Sequence, residues 1–274
     1  MFQSDQAETQ YADGFAYRVL GPEGGVPLVL LNRLRGTIDH WDPAFLDDLA
    51  KERRVVVFDN EGVNASEGRI PDSVEAMAAG AVRFLRALGL TEVDLLGWSM
   101  GGFVAQSVAL DHPELVRKLI VAGSSPGGVP DSPAFPDEIT AKVGAAVSGE
   151  RNGDEDFLFL FFPEEAWDLG RASLRRLDAR LSASGADVPL EGVGTQWAAI
   201  QKWVAGGAWS RLPELRAPAL YANGAHDVMV TSYDTYAAGT RVADSRVVLY
   251  GDAGHAFLFQ HPEEFGGVVR DFLR

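Results

Sequence analysis

The chain has 274 residues and a formal net charge of −15, a balance that argues against holding nucleic acid or an anionic membrane surface. It contains no cysteine, which excludes disulfides, a thiolate zinc site and a cysteine nucleophile. The length suits one large domain, or one domain with an insert. The first six residues, Met1 to Gln6, carry no apolar signal core, and no stretch is apolar enough to span a bilayer, so a cytoplasmic protein without membrane or nucleic-acid partners is expected. No internal repeat or low-complexity segment is present.

In chain order, Phe15–Leu20 alternates as an antiparallel edge strand would, and a Gly/Pro turn follows. Pro27–Leu31 is apolar on both faces, as a central strand of a covered parallel sheet requires. Asp42-Pro43 reads as a helix start, with aspartate as cap and proline at the first helical position. Phe45, Leu46 and Leu49 give that helix its buried face. Arg54–Asp59 is a further strand. Asp72-Ser73-Val74-Glu75 is a capping signal, and Val74, Met77, Ala78, Ala81, Leu85 and Leu88 form a helical stripe that ends at Gly89.

Val93–Leu96 leads into Gly97-Trp98-Ser99-Met100-Gly101-Gly102, and a helical pattern follows to Asp111-His112-Pro113. Strand, very tight turn and helix place Ser99 where a side chain takes a strained backbone and points away from the sheet. Small neighbours are needed there, because a Cβ at Gly97 or Gly101 would crowd the turn. Val116–Ala122 is the next strand. The alternation then stops from about Val129 to Leu212, a helical, loop-rich stretch. Its aromatics include Phe157, Phe159, Phe161, Phe162, Trp167, Trp197, Trp203 and Trp209. Most should pack the stretch onto the rest of the chain, and some should line an apolar pocket.

Alternation resumes with the short strand Ala219–Ala222, whose following loop carries His226 and Asp227. Ser232–Arg241 is a helix, and Arg246–Tyr250 reads as a buried strand. The next loop presents His255, and a closing helix runs from Phe257 to Leu273 with a break near His261-Pro262.

A serine hydroxyl needs a base at neutral pH, and the base needs an orienting acid. His255 is the base candidate. His40, His112, His226 and His261 are expected to be structural or exposed. Asp227 is the acid candidate, with Asp252 as its competitor in the histidine loop. These residues, in the order Ser, Asp, His on loops after strands, resemble the α/β-hydrolase family over nearly the whole chain.

That resemblance implies an α/β fold: a mostly parallel eight-stranded sheet flanked by helices, with a helical cap inserted after strand six. Residues 1–128 and 213–274 would then form the core and 129–212 the cap. It implies a catalytic Ser99–Asp227–His255 triad and backbone N–H donors to an oxyanion at Leu34 and Met100. No cofactor and no metal are expected, and the oligomeric state is left open.

The chain departs from the family pattern at two loops. Asn32-Arg33 stands where His-Gly is usual, and Glu61 and Asn64 stand where arginine and glycine are usual. Asn64 tolerates positive φ. Arg33 and Arg35 are either surface charges or hold a substrate anion. Serine as nucleophile excludes the aspartate-nucleophile epoxide hydrolases and haloalkane dehalogenases. Met100 also replaces the tryptophan that dehalogenases use on halide.

The implied activity is cleavage of a small to medium carboxylic ester or lactone with an apolar part, through an acyl-enzyme. Carbon–carbon bond hydrolases and cofactor-free perhydrolases share the same triad. A ligand-binding sensor built on a hydrolase scaffold is the alternative of another class.

Overall fold

The computed structural model describes residues 3–148, 153–186 and 188–274; Met1 and Phe2 of the N-terminal stretch read above lie outside them. The strands are β1 (Gln10–Ala12), β2 (Phe15–Leu20), β3 (Leu28–Leu31), β4 (Val55–Phe58), β5 (Val93–Trp98), β6 (Val116–Ala122), β7 (Ala219–Gly224) and β8 (Ser245–Tyr250). The helices are α1 (Pro43–Leu49), α2 (Val74–Ala87), α3 (Met100–Asp111), α4 (Asp137–Ser148), α5 (Asp154–Phe161), α6 (Trp167–Ser184), α7 (Leu190–Gly206), α8 (Ser232–Arg241), α9 (Phe257–Gln260) and α10 (Pro262–Leu273).

One eight-stranded sheet runs in the order β1-β2-β4-β3-β5-β6-β7-β8. The β1–β2 and β2–β4 pairs are antiparallel, and every later pair is parallel. The central strands β3, β4 and β5 are buried along their whole length. Their two-residue period divides the core between the faces of the sheet. Val29, Leu31, Val56 and Phe58 join α2 and α3 on one side, while Leu28, Leu30, Val55 and Val57 join α1 and α10 on the other. Each such side chain contributes about 1.5–3 kcal/mol by leaving water.

Two sequence expectations change. Phe15–Leu20 is antiparallel but does not form the edge, because β1 pairs outside it. The three residues Gln10-Tyr11-Ala12 are too few to show an alternation by which β1 could be read. Arg246–Tyr250 is the opposite edge strand rather than a buried one, with Val247 37% and Leu249 45% exposed.

The helix starts follow the capping chemistry. The Asp42 carboxylate accepts from Ala44 N at 2.9 Å, and Ser73 Oγ accepts from Ala76 N at 3.2 Å. Pro262 cannot donate a backbone hydrogen bond, and the closing helix divides there into α9 and α10.

Among the described residues, four α-helices, α4 to α7, lie between β6 and β7. Two buried carboxylates of the stretch between β3 and α1 tie α6 down. Asp42 accepts from Ser173 Oγ at 2.6 Å and from Arg176 Nε and Nη2 at 2.7 and 2.6 Å. Asp39 accepts from Arg180 Nε at 2.7 Å and from Arg18 at 2.5 Å. Among the described residues, no helix is long and apolar enough to cross a membrane.

Candidate active site

Ser99 is the single residue between the end of β5 and the start of α3, with φ 56° and ψ −123°. That conformation costs a non-glycine residue about 1–3 kcal/mol and persists only where the surroundings impose it. Here they do. Ser99 N donates to Ala122 O at 2.9 Å, and its carbonyl accepts from Ser124 Oγ at 2.8 Å. A Cβ on Gly97 would lie 2.2 Å from Gly101 O, and one on Gly101 would lie 2.0 Å from Leu31 O. Both contacts are with backbone, so neither glycine can be replaced without moving α3 away from the sheet.

The loops after β7 and β8 bring Asp227 and His255 together. His255 is 1% exposed, and its Nδ1 lies 2.7 Å from Asp227 Oδ2. The other carboxylate oxygen, Oδ1, accepts from Met229 N at 2.7 Å and Val230 N at 2.9 Å. The acid is therefore locked before it meets the imidazole. Trp98 holds the other side of the histidine. Its Nε1 donates to His255 O at 3.0 Å and its ring lies 5.7 Å from the imidazole, with the Phe161 ring at 5.5 Å.

Asp252 does not compete for this histidine. It is exposed, with Oδ1 3.1 Å from His261 Nε2. His226 is exposed, and His112 lies 3.5 Å from Glu114. His40 is held by Thr37 and is pushed down to about 3, mainly by burial and then by the Arg33 charge, so it is neutral. It nevertheless lines the same cavity as Ser99 and His255.

The loop after β3 keeps its brace despite the missing histidine. Asn32 Nδ2 donates to Phe58 O at 2.7 Å, and its Oδ1 accepts from Trp41 Nε1. Arg35 N donates to Gln196 Oε1 of α7 at 3.0 Å. Leu34, between these anchors, lines the space around Ser99. Among the described residues its N–H is spent on no hydrogen bond. Met100 is the first residue of α3, whose N–H has no intrahelical acceptor.

The loop after β4 also survives its departures. Asn64 takes φ 48° and donates to Asp59 Oδ2 at 2.8 Å, while Glu61 lies 3.3 Å from Arg83. Burial is the chief cause that pushes the Asp59 carboxyl up to about 6, against bonds from Ile38 N and Asn64.

Ser99 sits where two cavities meet, of about 290 Å³ and about 450 Å³. The smaller is lined by Arg33, Arg35, His40, His255, Phe157 and Phe161, among others. The larger is mostly apolar, with Phe103, Trp197, Ile200, Val204, Val228 and Val230. The aromatics between β6 and β7 therefore divide as expected. Phe157, Phe161 and Trp197 line cavities, whereas Trp203 stacks on Phe103 at 5.9 Å and Trp209 lies under Arg241. The i, i+4 spacing of Phe157 and Phe161, which stack at 4.6 Å on one helix face, was a signal for the first pair. Trp98 carried none, and neither did Met229, which lines both cavities from the loop after β7.

A sheet of this order, with a strained serine after β5 and a buried Asp–His pair after β7 and β8, defines a class. The family model described as the alpha/beta hydrolase fold matches residues 26–262, and the chain belongs to that family. A solved alpha/beta hydrolase fold protein from Chitinophaga pinensis is similar over 98% of both chains, with 34% identity and a TM-score of 0.89. A pimeloyl-[acyl-carrier protein] methyl ester esterase from Aromatoleum aromaticum is 30% identical over 192 residues, 65% of this chain and 72% of its own. A 2-hydroxymuconate semialdehyde hydrolase from Pseudomonas sp. strain CF600 is 28% identical over 259 residues, 91% of this chain and 87% of its own. These relatives are hydrolases, and the chain is an enzyme of that fold.

Proposed function

We propose that the protein is a serine hydrolase that cleaves a small to medium carboxylic ester or lactone through an acyl-enzyme. The observation that carries this reading is the buried His255–Asp227 pair at 2.7 Å on the wall of the cavity that also holds Ser99. His255 Nδ1 faces Asp227, which leaves Nε2 to take the Ser99 proton as Oγ attacks the carbonyl carbon. The N–H groups of Leu34 and Met100 receive the oxyanion. The tetrahedral intermediate collapses as His255 returns the proton to the leaving oxygen. Water, deprotonated by His255, then adds to the acyl-enzyme, and Ser99 leaves with its proton.

Residues 129–212 are read as the cap, whose helices close the two cavities over the serine. The substrate is a small molecule with an apolar part, and the protein acts in the cytoplasm. The 28% identity to a 2-hydroxymuconate semialdehyde hydrolase favours a second reading, the same triad acting on a carbon–carbon bond.

A p-nitrophenyl ester series from acetate to decanoate, run on the wild type and on Ser99→Ala, tests the first reading. Hydrolysis should peak at one chain length and fall by about 10⁴-fold or more in the variant. A loss below about tenfold would remove Ser99 from the mechanism. A Ser99 that reacts with a fluorophosphonate probe while no ester turns over selects the second reading. A serine inert to both favours a ligand-binding sensor.

A further inference from the structure

Arg33 stands at the serine with a charge that the triad leaves unused. Its guanidinium lies over the rings of Trp98 and Phe161, 5.6 and 5.2 Å from their centroids. Nη1 donates to Leu34 O at 2.7 Å. Nε is shut off from solvent without a partner. Among the described residues no carboxylate lies within ion-pair distance of it. The other inward-facing arginines are treated differently: Arg180 has Asp39 and Asp5, Arg176 has Asp42, and Arg53 and Arg117 share Asp94. Arg33 alone of this group is left with aromatic faces, which attract a cation but do not neutralise it. Burial, with Arg35 adding repulsion, pulls it down to about 10, so the charge stays on at neutral pH.

The same cavity wall carries Arg35 and the neutral His40, and the carboxylates Asp154, Asp156 and Asp178 from α5 and α6. Asp154 and Asp178 are exposed. The second cavity, which shares Ser99, Leu34, Val143 and Met229 with the first, is mostly apolar. A substrate whose reacting carbon sits at Ser99 therefore meets an uncompensated cation in one cavity and mostly hydrocarbon walls in the other. The planar fork of a guanidinium matches a carboxylate in both charge and geometry.

We propose that Arg33 is an anion subsite, and that the substrate carries a carboxylate on one side of the scissile bond and an apolar group on the other. The word substrate here rests on the serine hydrolase reading; the anion site does not.

Binding without turnover separates the two. Phenylalkanoates from 3-phenylpropionate to 6-phenylhexanoate, and their primary amides, would be titrated calorimetrically into Ser99→Ala. At one length or more the acid should bind at least about tenfold tighter than its amide, a difference the added Arg33→Met change should reduce to about twofold or less. Arg33→Lys keeps the charge without the fork and should retain part of the preference, which covers a Met variant that fails to fold. Equal affinity for acid and amide, no acid binding at any length, or a preference that survives Arg33→Met overturns the subsite. Fluorophosphonate labelling of the wild type is scored separately. An unlabelled Ser99 with the acid preference intact refutes the hydrolase and leaves the anion site. A labelled Ser99 without that preference refutes the anion site alone.

Discussion

Replacing Asp227 by asparagine asks one oxygen and one tautomer to answer for the whole reaction. Asp227 Oδ1 accepts two backbone N–H groups, from Met229 and Val230, at 2.7 and 2.9 Å. An asparagine keeps both bonds only if its carbonyl oxygen takes the Oδ1 position. Its NH₂ group then faces His255 Nδ1, where Oδ2 stood at 2.7 Å. Two donors cannot meet, so Nδ1 must become the acceptor and the ring proton must move to Nε2. A histidine protonated at Nε2 cannot take the serine proton. The wrong tautomer alone costs about 10⁴-fold in kcat in the chymotrypsin-type triad, where the same substitution is known. We expect a similar loss here, measured with whichever p-nitrophenyl ester the wild type hydrolyses best. Both backbone donors remain satisfied, so the melting temperature should move by no more than a few degrees. A drop in rate below about tenfold in folded protein would show that Asp227 does not set the tautomer.

Two other changes test the surroundings. The Asp59 carboxyl stands at about 6 in the folded chain, above the usual value of about 3.9 when unfolded. The folded state therefore binds the proton more tightly, and this group's contribution is greatest below about pH 4 and is lost as the pH rises through about 6. Asp59→Asn has no such slope, so its stability relative to wild type should rise by about 2 kcal/mol between pH 4 and pH 7 in urea titrations; a difference that stays constant would contradict the shift. Arg176→Leu leaves the buried Asp42 carboxylate with only Ser173 Oγ and Ala44 N. It should cost about 2–3 kcal/mol, with much of that recovered by adding Asp42→Asn, and a loss under about 0.5 kcal/mol would mean that the pair is loose.

The parts of the fold that could be read from the chain were those set by local chemistry. Asp42 and Ser73 announce their helices because the capping bond spans only two or three residues. The Gly97–Gly102 turn announces itself because the steric demand and the residues that meet it are adjacent. Strand order is not local. Arg246–Tyr250 has the apolar composition of a covered strand, and only its place at the end of the sheet exposes Val247 and Leu249. The candidate site shows the same boundary. Ser99, Asp227 and His255 were legible because each follows a strand in a fixed order. Arg33 could be either exposed or functional until the rings of Trp98 and Phe161, 65 and 128 positions later, closed on it. Asn32 is a substitution whose effect could not be read, since its bracing partners Trp41 and Phe58 come from other elements.

The bonds from Asp39 and Asp42 to α6 bear on how such an enzyme could be recombined with its relatives. The helical region between β6 and β7 looks like a cassette, bounded by two strands and free to be exchanged. Two arginines of α6 are not self-contained. Arg176 finds Asp42, and Arg180 finds Asp39 besides Asp5, so each has a counter-ion more than a hundred residues upstream on the segment that also carries Leu34 and Arg33. A graft of these helices into a relative without both aspartates would leave Arg176 without its counter-ion and strip Asp39 from the buried Arg180. A viable chimera has to take the β3–α1 segment along with the helices, which makes those two pieces one heritable unit although the chain separates them.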